Sequence, residues 1–283
     1  MNQLYNLTAK LAELAIPLSI PFNNKMRQFV EGRRESFAIL ERNIAREDKV
    51  IWFHMASLGE FEQGVPILQL AGKIFPKHKI VVSFFSPSGY EQKKSTPLAD
   101  AVVYLPIDTK SNAQKFIDLV HPDLVIFIKY EFWPNYLKEL NKRKVRTLLV
   151  SGGFRRDQLF FKSYGGWMRR SLESFEHFFV QNSASEKLLK SIGFHNVTVS
   201  GDTRFDRVVA QLAQNNKLSF IEDFLGDELC VVGGSTWPED DELLIEFINK
   251  DDTGTKFIIA PHQIKAEGIG NLKKRITKEV VLF

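Results

Sequence analysis

The 283-residue chain contains a single cysteine, Cys230. No intrachain disulfide can form, and a reducing compartment is the simplest setting. Cys230 lies in the run Leu229-Cys230-Val231-Val232 and reads as a small buried hydrophobe. Long hydrophobic runs are missing as well. No uninterrupted apolar stretch reaches the ~18 residues of a membrane-spanning helix. The amino end lacks the basic cluster and small-residue cleavage site of a signal peptide. There is no repeat of fixed period, no low-complexity tract, no zinc-ligand spacing, and no full phosphate-loop or dinucleotide pattern.

What is present is globular. Hydrophobic residues make up 44% and charged residues 25%, enough for one large or two ordinary domains. The formal charge of +4 and pI near 9.0 favour anionic partners, such as phospholipid head groups or phosphorylated substrates. Basic helices interleaved with aromatics are absent, so nucleic acid is not an expected partner.

Leu4, Tyr5, Leu7, Leu11, Leu14, Ala15, Leu18 and Ile20 recur at near-helical spacing, limited by Pro17 and Pro21 and followed by Lys25, Arg27, Arg33 and Arg34. An apolar stripe followed by cations suits a helix lying in the head-group layer of an anionic leaflet. It equally suits a helix packed on the protein's own core. Residues 1–34 are read as this amphipathic segment.

From Lys49 onward, continuous apolar runs alternate with helical patterns. Strands are expected at 50–54, 80–85, 101–105, 124–128, 146–150, 177–180 and 197–199. Helices are expected at 61–74, with Leu68, Leu70 and Ala71 facing inward, and at 111–119 and 136–142. Such alternation implies a doubly wound α/β sheet covered on both faces. These sheets bind ligands outside the carboxyl ends of their strands. A first domain over 35–205 is followed by a second over 206–283, with strands at 229–232 and 256–260 and a helix at 238–249. A further strand beginning at Val280 makes the second domain look incomplete.

Six segments follow the strands. Ser57-Leu58-Gly59-Glu60 reads as a turn opening a helix, with Gly59 permitting the turn and Glu60 either complementing the helix dipole or serving as a base. Lys129-Tyr130-Glu131-Phe132-Trp133-Pro134-Asn135 puts charges and aromatics at a strand exit, with Pro134 beginning a helix. In Ser151-Gly152-Gly153-Phe154-Arg155-Arg156, small residues admit a ligand and the two arginines suit a phosphate or carboxylate, or form a solvated basic face. In Gly201-Asp202-Thr203-Arg204-Phe205-Asp206-Arg207, the alternating charges suit an interdomain salt-bridge network. Gly233-Gly234-Ser235-Thr236-Trp237 reads as a phosphate-suited loop. His262 follows the strand at 256–260.

Taken in order, these segments resemble the 3-deoxy-D-manno-octulosonic acid (Kdo) transferase family, which adds Kdo to lipid A precursors. The matching stretches are His54-Met55-Ala56-Ser57-Leu58-Gly59-Glu60, Tyr130 to Asn135, Gly201 to Asp206, Gly234-Ser235-Thr236 and Ala260-Pro261-His262. The family often has an acidic residue where Lys129 stands. The resemblance implies a GT-B glycosyltransferase of two Rossmann-like domains, with an N-terminal membrane-associating helix and, in this chain, a truncated second domain. It implies a monotopic protein on the cytoplasmic face of the bacterial inner membrane, and an inverting reaction without metal or cofactor. Glu60 would be the general base. Ser57, Gly59, Lys129, Glu131, Arg155 and Arg156 would face the lipid A precursor, and Arg204, Gly234, Ser235, Thr236 and His262 the CMP-Kdo donor. Two other readings stay open: another GT-B sugar enzyme, such as a lipid A disaccharide synthase or a sugar-nucleotide epimerase, and a non-catalytic lipid A binding fragment.

Overall fold

The computed structural model describes residues 2–18 and 24–282. Ile20, Pro21 and the side chain of Lys25, all read into the amphipathic segment, lie outside the described residues. The chain divides into two compact units, Met1–Ala213 and Gln214–Phe283.

The first unit opens with helices α1 (Asn2–Ala15) and α2 (Asn24–Asn43). Strands and helices then alternate: β1 (Lys49–Met55), α3 (Leu58–Ile74), β2 (His78–Phe84), α4 (Pro87–Lys93), β3 (Ala101–Tyr104), α5 (Lys110–Val120), β4 (Leu124–Ile128) and α6 (Pro134–Lys142). After β5 (Arg146–Gly152) come α7 (Gly166–Leu172), β6 (His177–Val180), α8 (Ser183–Ser191), β7 (Val197–Val199) and α9 (Thr203–Leu212). All seven strands are parallel, in the order β3-β2-β1-β4-β5-β6-β7. The order reverses between β1 and β4, so the exits of these two strands flank the ligand-binding crevice of a doubly wound sheet.

Alternate residues of β1 explain why its whole run is apolar. Val50 and Trp52 face a core built with Leu40 of α2, Phe116 of α5 and Leu137 of α6. Ile51, Phe53 and Met55 face a second core with Phe61, Val65 and Leu68 of α3. A strand buried on both faces needs no polar alternation. In α3, Leu68 and Ala71 point inward as expected, but Leu70 is exposed. The helix ends are specified locally: Thr109 Oγ1 accepts from Asn112 N–H at the start of α5, and Asn182 Oδ1 from Ser185 N–H at the start of α8.

Arg33, expected among the head-group cations, is instead buried. Its guanidinium lies over Phe29, 3.4 Å from the ring centroid, and donates to the carbonyls of Leu105 at 3.0 Å and Phe85 at 2.6 Å. Burial lowers its pKa to about 9.

The second unit holds α10 (Ser219–Leu225), β8 (Cys230–Thr236), α11 (Pro238–Lys250), β9 (Lys256–Pro261) and α12 (Ala266–Arg275). β8 and β9 form a parallel pair. Cys230 is half-buried rather than fully buried. Residues 280–282 form no strand.

Candidate active site

Glu60 stands in the first turn of α3, not in a turn preceding it. Gly59 is helical too, and a Cβ there would meet only Ser57 Oγ at 3.8 Å, so no special backbone geometry calls for that glycine. Ser57 is the extended N-cap residue, but its hydroxyl does not cap the helix. It donates to the Glu60 carboxyl group instead. On the other side, Lys129 Nζ lies 3.7 Å from Glu60 Oε1. Both side chains are shielded yet reachable, 18% exposed for Lys129 and 14% for Glu60. The pair bridges the exits of β4 and β1, across the reversal point of the sheet.

Lys129 reaches this position through a left-handed backbone, φ 75°. That conformation costs a non-glycine residue roughly 1–2 kcal/mol, and such strain concentrates at functional sites. Its N–H still donates to Val150 O at 2.9 Å, so the bend begins without breaking the ladder. Ser151, at the end of neighbouring β5, is also left-handed, φ 55°. Tyr130 then lies against Gly153, where a Cβ would come within 3.0 Å of its ring. Small residues at this exit therefore admit Tyr130.

Two cations attend that ring. Lys129 Nζ is 5.0 Å and Arg155 Cζ 5.7 Å from its centroid. Arg155 also pairs with Asp157 at 3.5 Å, while Arg156 is exposed beside it. Asp202, the N-cap of α9, accepts from Arg204 Nε at 2.8 Å and from the Arg204 backbone N–H at 2.9 Å. Burial pushes the Asp202 carboxyl up, but the Arg204 bonds and the charge of Lys129 outweigh it and hold it below the usual carboxylate range. Arg204, placed by the resemblance with the donor residues, thus belongs to the same unit as Lys129, Tyr130 and Arg155. The expected interdomain charge network is internal to this unit: Arg207 Nε pairs with Glu62 Oε2 at 2.9 Å, tying α9 to α3.

Glu131 anchors a second cluster. Its Oε2 and His54 Nε2 each lie 2.9 Å from Trp133 Nε1, which carries the donor hydrogen. His54 is fully buried and meets Ser83 Oγ through Nδ1 at 2.8 Å, and Ser83 Oγ accepts from Trp52 Nε1 at 2.7 Å. Sequence reasoning did not single out His54, Ser83 or Trp52 as site residues. A readable signal was there: His54 is a polar residue inside the apolar run from Val50 to Met55, one position before its end.

In the second unit, Gly233-Gly234-Ser235-Thr236 ends strand β8 rather than forming a loop after it. The pairing slips between Gly234 and Thr236, and Ser235 takes up the irregularity with φ 58°. Ser235 Oγ lies 2.9 Å from His262 Nδ1, and the His262 ring stacks on Trp237 at 4.4 Å. A Cβ at Gly234 would meet nothing within 4 Å, so the backbone there is open to a ligand. Gly234, Ser235, Thr236 and His262 are therefore brought together, and Trp237, read in the same segment but not among the donor-facing residues, joins them through its stacking on His262.

The family model described as 3-deoxy-D-manno-octulosonic-acid transferase (kdotransferase) matches residues 31–207. The chain belongs to this family. Among curated proteins, a 3-deoxy-D-manno-octulosonic acid transferase of Aquifex aeolicus is 26% identical over 84% of this chain and 63% of its own length. One from Rickettsia typhi is 27% identical over 74% of this chain and 45% of its own. A bifunctional glycosyltransferase/methyltransferase of Fusobacterium nucleatum is 25% identical over 96% of this chain and 42% of its own. The chain spans about half the length of these curated relatives. Among solved structures, the UDP-GlcNAc 2-epimerase of Neisseria meningitidis superimposes with TM-score 0.59 at 14% identity, covering 81% of this chain and 69% of that one. That likeness concerns the fold alone, which is α/β and GT-B-like.

Proposed function

We propose that this chain supplies the acceptor unit and part of the donor unit of an inverting glycosyltransferase that moves Kdo from CMP-Kdo to a lipid A precursor. The observation that carries the reading is the placement of Glu60. It opens the helix after β1 at the reversal point of the sheet, steadied by Ser57 and Lys129.

A sugar hydroxyl is a poor nucleophile until its proton is removed. In the proposed step the acceptor oxygen bonds to the anomeric carbon of Kdo, and the bond from that carbon to the CMP phosphate oxygen breaks. Glu60 takes the hydroxyl proton, and CMP leaves with the electron pair. The charge growing on the leaving phosphate is met by hydrogen-bond donors at the open backbone of Gly234 and at Ser235 and His262. Lys129 and Arg155 attend Tyr130 with positive charge suited to the anionic acceptor.

Attachment to the cytoplasmic face of an inner membrane belongs to the same reading. Leu4, Leu7, Leu11, Leu14 and Leu18 are 55 to 74% exposed, forming an outward stripe on α1 and the turn after it. Arg27 and Arg34 are exposed on the helix that follows. Among the described residues no helix is long and apolar enough to cross a membrane, so the stripe suits a helix lying in the interface.

The test is donor-resolved transfer to lipid IVA by the intact enzyme. CMP-Kdo should be consumed, and Glu60→Gln should lower turnover about 10²–10⁴-fold while lipid IVA binding persists. Turnover of a UDP-sugar with CMP-Kdo inert overturns the donor assignment. Undiminished transfer by the variant overturns the base.

A further inference from the structure

Helix α1 is fastened to the first unit by its polar side. Tyr5 Oη donates to Asp108 Oδ2 at 2.7 Å, Asn112 Nδ2 donates to Glu13, and the Tyr5 ring lies 5.6 Å from that of Trp167. Asp108 is only 2% exposed. The same carboxyl group holds the start of α6. Its Oδ2 accepts the Asn135 N–H at 3.0 Å, its Oδ1 the Tyr136 N–H at 3.1 Å, and its backbone carbonyl the Asn135 Nδ2 at 2.6 Å.

One buried carboxyl group therefore spans two elements with different jobs. α1 carries the leucine stripe. The start of α6 continues directly from Glu131-Phe132-Trp133, the turn that holds the Glu131 and His54 cluster. Asp108 follows β3 and Asn135 follows β4, so α1 is pinned at the carboxyl edge of the sheet, the edge that carries Glu60. The partners of Asp108 are all neutral donors, so each one withdrawn leaves a buried acceptor poorly satisfied. Burial raises the Asp108 carboxyl above its ordinary pKa. Burial and then the Asp108 charge raise the Tyr5 phenol above its own, which keeps that group a donor.

We propose that Tyr5 and Asp108 are positioning residues that link the seating of α1 to the order of the Glu131–Trp133 turn, so that a lipid surface gripping the leucine stripe firms the site. The lipid clause rests on the proposed function. The linkage between α1 and the turn does not.

Hydrogen exchange on the full chain tests both. In Tyr5→Phe, which removes one hydroxyl and keeps the ring, the Asn135 and Tyr136 amides should exchange roughly tenfold faster than in the wild type. Vesicles of phosphatidylethanolamine and phosphatidylglycerol should slow those two amides in the wild type and lose that effect in Tyr5→Phe. The double variant Leu7→Ser, Leu11→Ser should float less with the vesicles yet leave both amides unchanged in their absence. Faster exchange confined to residues 3–15 in Tyr5→Phe overturns the linkage. Vesicle binding that leaves the two amides unchanged overturns the lipid clause. Failure of the wild type to bind vesicles sinks the membrane reading itself, while the vesicle-free comparison still decides the linkage.

Discussion

Phe127 in β4 and Val232 in β8 come from runs of the same kind, Leu124-Val125-Ile126-Phe127-Ile128 and Leu229-Cys230-Val231-Val232. Phe127 is 0% exposed and Val232 is 65% exposed. Both strands are parallel-paired, so pairing does not separate them. β4 has strands on both sides and helices on both faces, whereas β8 pairs with β9 in a two-stranded sheet. An apolar run states what a strand would bury. The neighbours decide whether it does.

Core truncation makes this comparison quantitative. Phe127→Ala removes a ring in edge contact with Trp52 and Phe175 and should destabilise the first unit by about 3–5 kcal/mol. Val232→Ala, at an exposed position, should stay within about 0.5 kcal/mol. Urea unfolding of this chain measures both. Equal losses would mean that Val232 is covered in solution and that the contrast between the units is false.

The same contrast explains what could be read in advance. The nine strands among the described residues are at or within a few residues of where the apolar runs put them, and for central strands such as β1 and β4 the reason is that a doubly covered strand needs no partner information to be recognised. The candidate site was legible as a set of strand exits. Its contacts were not. Glu60 meets Lys129 only because β1 and β4 are neighbours, and that follows from the crossover order rather than from either segment. Arg33 was misread for a related reason. Its charge marks it for the surface, but the rings of Phe85 and Tyr104 and the carbonyls of Leu105 and Phe85, all from distant segments, enclose it together with the ring and carbonyl of Phe29 one turn earlier. Gly233 to Thr236 looked like a loop because small residues are weak strand formers. Register with β9 overrides that preference.

A smaller effect is expected where α9 meets α3. Burial raises the Glu62 carboxyl, but hydrogen bonds from Lys93 and Arg207 outweigh it and leave the group below its ordinary value. A depressed carboxyl stabilises the fold at pH values above its unfolded pKa and loses that contribution as pH falls through the folded one. Arg207→Gln should therefore lower stability by about 0.5 kcal/mol at neutral pH, a half-exposed pair being worth little more. The difference from wild type should begin to shrink as pH falls below the ordinary glutamate pKa of about 4.3 and vanish once the pH is below the depressed folded value. A difference that persists into acid would assign the role of Arg207 to packing of its side-chain stem.

The smallest effects should be equal in the two units. Arg146 and Glu176 make an exposed bidentate pair in the first unit, and Arg275 and Glu242 do so in the second. Both lie in high dielectric, where the Coulomb gain is offset by the entropy of holding two long side chains. Arg146→Gln and Arg275→Gln should each leave the urea midpoint of wild type unchanged. If burial is what divides the units, their surfaces should respond alike. A marked loss for Arg275→Gln alone would instead mean that the second unit, with little buried apolar surface, leans on its charged exterior.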